Sequence, residues 1–144
     1  MHPFMRQISV TYRCAMRYRE RELEDTGLAG CQTPYLMALS RHEGLTQEEL
    51  ARDLNVNKSS VARQLATLEE KGYIRRESDP HDRRSLLVYP TDKALALKEQ
   101  MRRVLREWSA YLTADFTDEE RETLSRLMER VAVRAESYVK GDGD

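Results

Sequence analysis

Between Asn55 and Arg76 the sequence reads NVNKSSVARQLATLEEKGYIRR, and its polar positions form a one-sided set. Lys58, Ser59, Ser60, Arg63 and Gln64 are interleaved with the apolar residues Val61, Leu65 and Leu68, and no acid occurs until Glu69. The apolar residues recur every three or four positions, which is helical spacing. Hydroxyls and cations at the start of a helix suit an anion, because unpaired backbone N–H groups and the positive end of the helix dipole point the same way. One turn further along, an arginine can pair bidentately with guanine and a glutamine with adenine. The chemistry on offer is thus phosphate contact at Lys58, Ser59 and Ser60 and base-edge contact at Arg63 and Gln64. Taken alone, the same residues would also serve as an ordinary solvated helix face.

A second group follows in D-P-H-D-R-R, Asp79 to Arg84. In a hairpin, Asp82 and Arg84 are two apart and share a face, so the two are expected to pair. An arginine held in this way can be aimed into a narrow minor groove, where the negative potential is enhanced. Arg83 would add a phosphate contact. By itself the segment is equally a charged hairpin tip.

These groups need a frame, and the flanking residues supply its signals. T-Q-E-E at Thr46 is a capping box, with the Thr46 hydroxyl set for the N–H of Glu49 and the Glu49 side chain reaching back. Leu50, Ala51 and Leu54 give this short helix its inner face, and Ala51 is small enough to let a second helix approach closely. Val56 and Val61 are expected to seal the small core between the two. The second helix runs from Asn57 or Lys58 to Lys71 and stops at Gly72. The period then changes to two strands, Tyr73–Ser78 and Ser85–Pro90, around the turn-rich tip. Upstream, a helix over PYLMALSRH is expected to start at Thr33 as its cap, with Pro34 in the first turn. A short helix, a tight turn, a second helix and a hairpin make a winged helix-turn-helix. The second helix of such a unit enters the major groove while the first crosses the backbone, so Thr46, at the head of the first, joins the DNA-binding candidates.

Helices flank this unit. One runs from Pro3 to Leu23, with Ile8, Tyr12, Ala15, Met16, Arg19 and Leu23 near one face. A long one resumes at Thr91 through Ala94, Leu97, Met101, Val104, Leu105, Trp108 and Leu112. The last is capped by Thr117 with Glu120 three residues on, and is expected to bury Leu124, Leu127, Met128, Val131 and Ala135. Apolar stripes at both chain ends, with little else to cover them, imply burial against a second copy. The expected fold is mostly α with a small β wing. At 144 residues it is a single domain, with residues 33–90 as the winged helix-turn-helix and 1–30 and 91–140 as dimerisation helices.

Composition narrows the function. The net charge is −1, so any nucleic-acid surface must be local. Lys71, Arg75, Arg76, Arg83 and Arg84 outweigh Glu77, Asp79 and Asp82 around the wing, whereas Asp118, Glu119, Glu120 and Glu122 make the last helix start acidic. Mean hydropathy is −0.75, and no apolar run approaches the roughly 18–20 residues that span a bilayer. The N-terminus is charged too soon for a signal peptide, so the expected place is the cytoplasm, with no membrane partner. Cys14 and Cys31 form neither a CxxC pair nor a disulfide framework. No nucleophile–base pair, phosphate-binding glycine loop or carboxylate dyad stands at usable spacing, so neither an enzyme nor a cofactor is expected. A winged helix used only to bind protein would want an apolar recognition face, and Lys58-Ser59-Ser60 with Arg63-Gln64 argues against that.

With those motifs in place, the sequence resembles the MarR family of transcriptional regulators over nearly its whole length. The resemblance is carried by L-T-Q-E-E-L-A-R-D-L-N-V, S-S-V-A-R-Q-L-A-T-L-E-E-K-G-Y-I-R-R, D-P-H-D-R-R-S-L-L-V and T-D-K-A-L. Tyr89, Pro90 and Ala94 depart from the family pattern at the junction after the wing. The resemblance implies an obligate homodimer on a pseudo-palindromic duplex, with Asp82 and Arg84 as the wing's D-x-R pair. It also implies repression relieved by a phenolic or other small aromatic ligand, or by an oxidant. The family's pocket lies between the dimer helices and the winged domain, where Tyr12, Met16, Arg19, Tyr35 and Met37 are the lining candidates. For oxidant sensing, Cys14 lies in the first helix beside Arg13 and Arg17, which favour a thiolate, though later in that helix than the family's sensing residue. Glu24, Cys31, His42 and Glu43 fall where zinc-sensing members hold ligands. The fifth helix, however, has no histidine, and His2, His42 and His81 are scattered, so no metal is expected.

Overall fold

A computed structural model describes residues 3–141. Seven helices and three strands appear in the order α1 (Phe4–Glu22), α2 (Thr33–Arg41), β1 (Leu45–Thr46), α3 (Gln47–Leu54), α4 (Lys58–Glu70), β2 (Ile74–Asp79), β3 (Asp82–Pro90), α5 (Asp92–Leu95), α6 (Lys98–Leu112) and α7 (Asp118–Val139). The sheet is antiparallel with order β1-β3-β2. Expected and observed architecture agree: a helical protein with a small β wing.

The helix starts follow their local codes. Both sides of the capping box are made at Thr46–Glu49, and again at Thr117–Glu120. Asn57 caps α4, its side-chain oxygen accepting from the N–H of Ser60 at 2.8 Å. Asn55 closes α3 in the left-handed region (φ 53°), a conformation that asparagine tolerates better than most residues. At α2 the expected cap is displaced. Gln32 occupies that position and Thr33 lies inside the first turn, with its hydroxyl buried and unpartnered. Pro34 is therefore one place deeper in the helix than expected.

Between α1 and α2 the chain makes a 3-10 turn, Glu24–Thr26, and Gly27 (φ +70°) ends it. Gly30 then presses against α1: a Cβ there would lie 2.5 Å from the Met16 carbonyl oxygen. Its N–H points at the Glu20 carboxylate, 3.4 Å away. Because the obstacle is backbone, it cannot swing aside. Gly30→Ala is expected to destabilise the fold by on the order of 1–3 kcal/mol, the usual cost of overpacking, read as a lower urea midpoint at unchanged slope.

Residues up to Trp108 form one compact unit. Its core joins Leu23, Leu36, Leu39, Leu50, Val61, Leu65, Leu68, Tyr73, Val88, Met101 and Val104, and Tyr18 stacks on Trp108 with ring centroids 4.6 Å apart. Val56, expected in this core, is 36% exposed instead, because the turn that carries it lies outside the α3–α4 contact. Strand β1 was not signalled by the sequence. It is two residues long, too short to show alternation, and exists by pairing Leu45 with Val88 and Thr46 with Leu87. The long helix expected from Thr91 is interrupted at Ala96 and Leu97, where the Leu97 N–H bonds to Ala94 rather than one residue further back.

From Ser109 onward the chain forms a second unit. In it the Arg121 guanidinium donates to the Thr113 carbonyl (2.9 and 3.2 Å) and to Asp118 (2.9 Å), tying the turn to the start of α7. No residue of α7 is buried. Leu124, Leu127, Met128, Val131 and Ala135, expected to be inside, are exposed or half-exposed.

Candidate nucleic-acid interface

Helix α4 presents one strip outward: Ser59, Ala62, Arg63 and Ala66, all exposed and spaced at one, four, five and eight along the helix. No acid occurs on it before Glu70, exposed one turn beyond Ala66 at the helix end. Ala62 and Ala66 were not singled out from the sequence, although two small apolar residues on such a strip suit the methyl group of thymine. The spacing that placed Val61, Leu65 and Leu68 inside would have placed these two outside.

Gln64 falls on the other flank. It follows Val61 by three residues and precedes Leu68 by four, so it shares the inner stripe. Half-buried there, its side-chain oxygen accepts from the Gln32 amide at 3.2 Å. The helix thus turns Gln64, expected to read a base, toward Gln32 and Arg63 toward solvent.

The start of α4 is set by Asn57. Its oxygen also accepts the Ser59 hydroxyl at 2.8 Å, while Arg63 reaches back to the Ser60 hydroxyl at 3.4 Å. Lys58 forms a 2.9 Å ion pair with Glu48 of α3, both well exposed. That hydrogen bond and charge hold the Glu48 carboxyl below its ordinary range. Thr46 uses its oxygen as acceptor for Glu49 and its N–H as donor to the Glu49 carboxylate, which leaves the hydroxyl proton for another acceptor.

In the wing, the strands extend almost to the tip, leaving only Pro80 and His81 between them. The ladder runs from Ile74–Pro90 to Ser78–Leu86, and its register then shifts before Asp79–Asp82. Arg83 and Arg84 lie in this irregular stretch, both exposed, and a break in register is a common way to re-aim side chains. Asp79 accepts from the His81 N–H at 2.8 Å and Asp82 from the Arg84 N–H at 3.0 Å. The anticipated ion pair between the Asp82 and Arg84 side chains is absent. Asp82 instead shapes the backbone that carries Arg84, a local bond typical of aspartate in turns. At the root of the wing, Arg75 pairs with Glu77 and lies 4.5 Å above the Tyr89 ring. Arg76 approaches Glu69 to 3.3 Å as an ion pair without hydrogen-bond alignment. Both are thus engaged within the protein.

The five lining candidates separate into two groups. Tyr35 is buried in the core and Met37 packs against it. Tyr12 is 61% exposed, while Met16 and Arg19 are half-buried. Arg19 contacts the Met16 sulfur at 3.9 Å, and its Nε is buried without a partner. Burial raises the pKa of the Tyr35 hydroxyl, with Cys31 and Tyr12 adding to the rise and Arg63 opposing it. Cys14 is exposed on α1 and Cys31 half-buried. Among the described residues, no three of His, Cys, Asp or Glu come together as metal ligands, and no helix is long and apolar enough to cross a membrane; His2 lies outside those residues.

Comparison with known proteins bears on this geometry. The MarR family model matches residues 26–85, from within the α1–α2 connector to the wing. The HTH-type transcriptional regulator YwoH of Bacillus subtilis (strain 168) is 32% identical over 121 residues, which is 84% of this chain and 88% of YwoH. A MarR transcriptional regulator from Methanosarcina mazei Go1 superposes with a TM-score of 0.88 at 31% identity, covering 94% of this chain and 97% of that one. A MarR-family protein from Listeria monocytogenes, crystallised in complex with a 26mer DNA, superposes with a TM-score of 0.89 at 24% identity, covering 96% and 93%.

Proposed function

Since the chain belongs to the MarR family of transcriptional regulators, we propose that it acts as a homodimer reading a pseudo-palindromic DNA duplex with two winged helices. Its relatives regulate transcription and are not enzymes. The observation that carries the DNA reading is the acid-free strip Ser59, Ala62, Arg63 and Ala66, flanked by exposed Arg83 and Arg84. A strip of donors and small apolar groups on a helix of major-groove width matches acceptors and methyls on base edges, and the wing arginines match phosphate or a narrow minor groove. The DNA in the Listeria complex supports the same reading.

In this reading residues 33–90 do the docking, with Thr46, Lys58, Ser59 and Ser60 on phosphates, Arg63 on a base, and Arg83 and Arg84 in the wing. Gln64 is dropped from the contact set. Residues 1–30 and 91–140 supply the dimer, which the uncovered side of α7 supports. The protein is a repressor released by a small phenolic or aromatic ligand held near Tyr12, Met16 and Arg19; the buried, unpartnered Arg19 Nε supports that site. DNA as partner assigns the protein to the cytoplasm. Redox control through Cys14 is the second reading, favoured by its exposure on α1.

Selection of duplexes from a random-sequence library by the purified protein tests this directly. A palindromic consensus should emerge, bound with a steep salt dependence. Arg84→Ala should weaken binding to all sequences alike and reduce the slope by about one per wing. Enrichment of no duplex at low salt would sink the proposal.

A further inference from the structure

We propose that Gln64 is a positioning residue, which fixes the recognition helix by locking it through Gln32 to the connector that follows α1. The inference rests on the DNA-reading function proposed above. Gln32 is only 2% exposed, and with Thr33 it is one of two buried polar residues among the described residues. Its side-chain oxygen accepts from the Ala29 N–H at 3.0 Å and from Lys71 Nζ at 3.1 Å, and its amide nitrogen donates to Gln64 at 3.2 Å. Lys71 Nζ donates a second bond to the Gly27 carbonyl at 2.7 Å. Two points of α4 and its exit are thus tied to one short loop: Gln64 in the middle and Lys71 just past the end.

Two attachment points fix a helix's tilt as well as its rotation. Neighbouring residues stand about 100° apart around a helix. While Gln64 is held inward, Arg63 is therefore held outward; a helix that rolled would carry Arg63 off the groove. A buried amide whose partner is removed keeps its full desolvation cost, so the bond resists rolling more than an exposed one would. The same loop is anchored on α1, where Gly30 lies against the Met16 carbonyl and its N–H faces Glu20. A displacement of α1 at Met16 is thereby delivered to Gln32, and from Gln32 to the helix that carries Arg63.

The test compares the parent with Gln32→Met, Gln64→Met and the double variant, well below their unfolding midpoints, on a duplex selected by the parent. Each single variant should bind about tenfold more weakly, with the ranking of single-base-pair substitutions in the duplex unchanged. The double should be no weaker than the weaker single, because both ends of one bond are then apolar. Without DNA, amide exchange in all three should quicken together in residues 27–32 and 64–71. Singles that bind like the parent, losses that multiply in the double, or a base preference altered by Gln64→Met alone would each overturn the proposal. If Gln32→Met does not fold, the half-buried Gln64→Met alone decides by affinity, ranking and exchange. A parent that selects no duplex sinks the DNA reading, while unchanged exchange in the folded variants sinks the link itself.

Discussion

Arg63→Ala is expected to lower affinity for the selected duplex ten- to a hundredfold and to flatten discrimination at one base pair in each half-site. A bidentate arginine–guanine contact contributes about 1–3 kcal/mol of discrimination, and two symmetric copies act in a dimer. Position 63 is the place to look because it is the only basic residue on the outward strip of α4, whose one acid, Glu70, stands two turns further on at the helix end. Its guanidinium already leans toward Ser60 at 3.4 Å, at the end of the helix where base edges are met. Arg63→Lys makes the informative companion. Lysine keeps the charge and loses the planar fork, so it should restore affinity for non-specific DNA while leaving the discrimination flat. Binding measured against a panel of single-base-pair duplex variants separates the two effects. Equal discrimination by Arg63→Ala and the parent would remove Arg63 from the readout.

The second large effect concerns assembly. Leu127→Glu should turn the dimer into a monomer, seen by light scattering at micromolar concentration, with loss of operator binding. Leu124, Leu127, Met128 and Val131 recur at helical spacing on α7, and the first three are 40–44% exposed in the single chain. Isolated helices owe little of their stability to propensity and most to burial of such a face. In an isologous interface one substitution introduces two carboxylates, each desolvated without a partner. A parent whose melting temperature rises with concentration, and a variant whose melting temperature does not, would be the signature of a fold completed by its partner. A Leu127→Glu protein that stayed dimeric would place the interface elsewhere.

How much could be read from the sequence depended on how local the signal was. Both capping boxes and the helix–hairpin order were legible because each is written within a few residues. What failed depended on partners distant along the chain. Thr33 looked like a cap because its hydroxyl precedes Pro34, but the neighbouring Gln32, drawn into bonds with Ala29, Gln64 and Lys71, holds the cap position. Asp82 and Arg84 looked like an ion pair, yet the carboxylate was taken by the nearer backbone N–H. Gln64 is a different case: helical periodicity put it on the inner stripe, and its polarity concealed that. The α7 face was recognised as apolar, but its expected burial is not met within the single chain; in the proposed dimer a second copy would cover it.

The Lys58–Glu48 pair alters how salt titrations of this protein should be interpreted. A lysine that docks on phosphate normally contributes to the slope by expelling a condensed cation from the DNA. Here the lysine arrives weakly paired with Glu48 across an exposed 2.9 Å contact. To reach a phosphate it must desert Glu48, and the abandoned carboxylate then sits beside the duplex as an added negative charge. In the proposed complex Glu48 would thus compete with the duplex for Lys58, and counting basic residues on the proposed docking face would overestimate the phosphates neutralised.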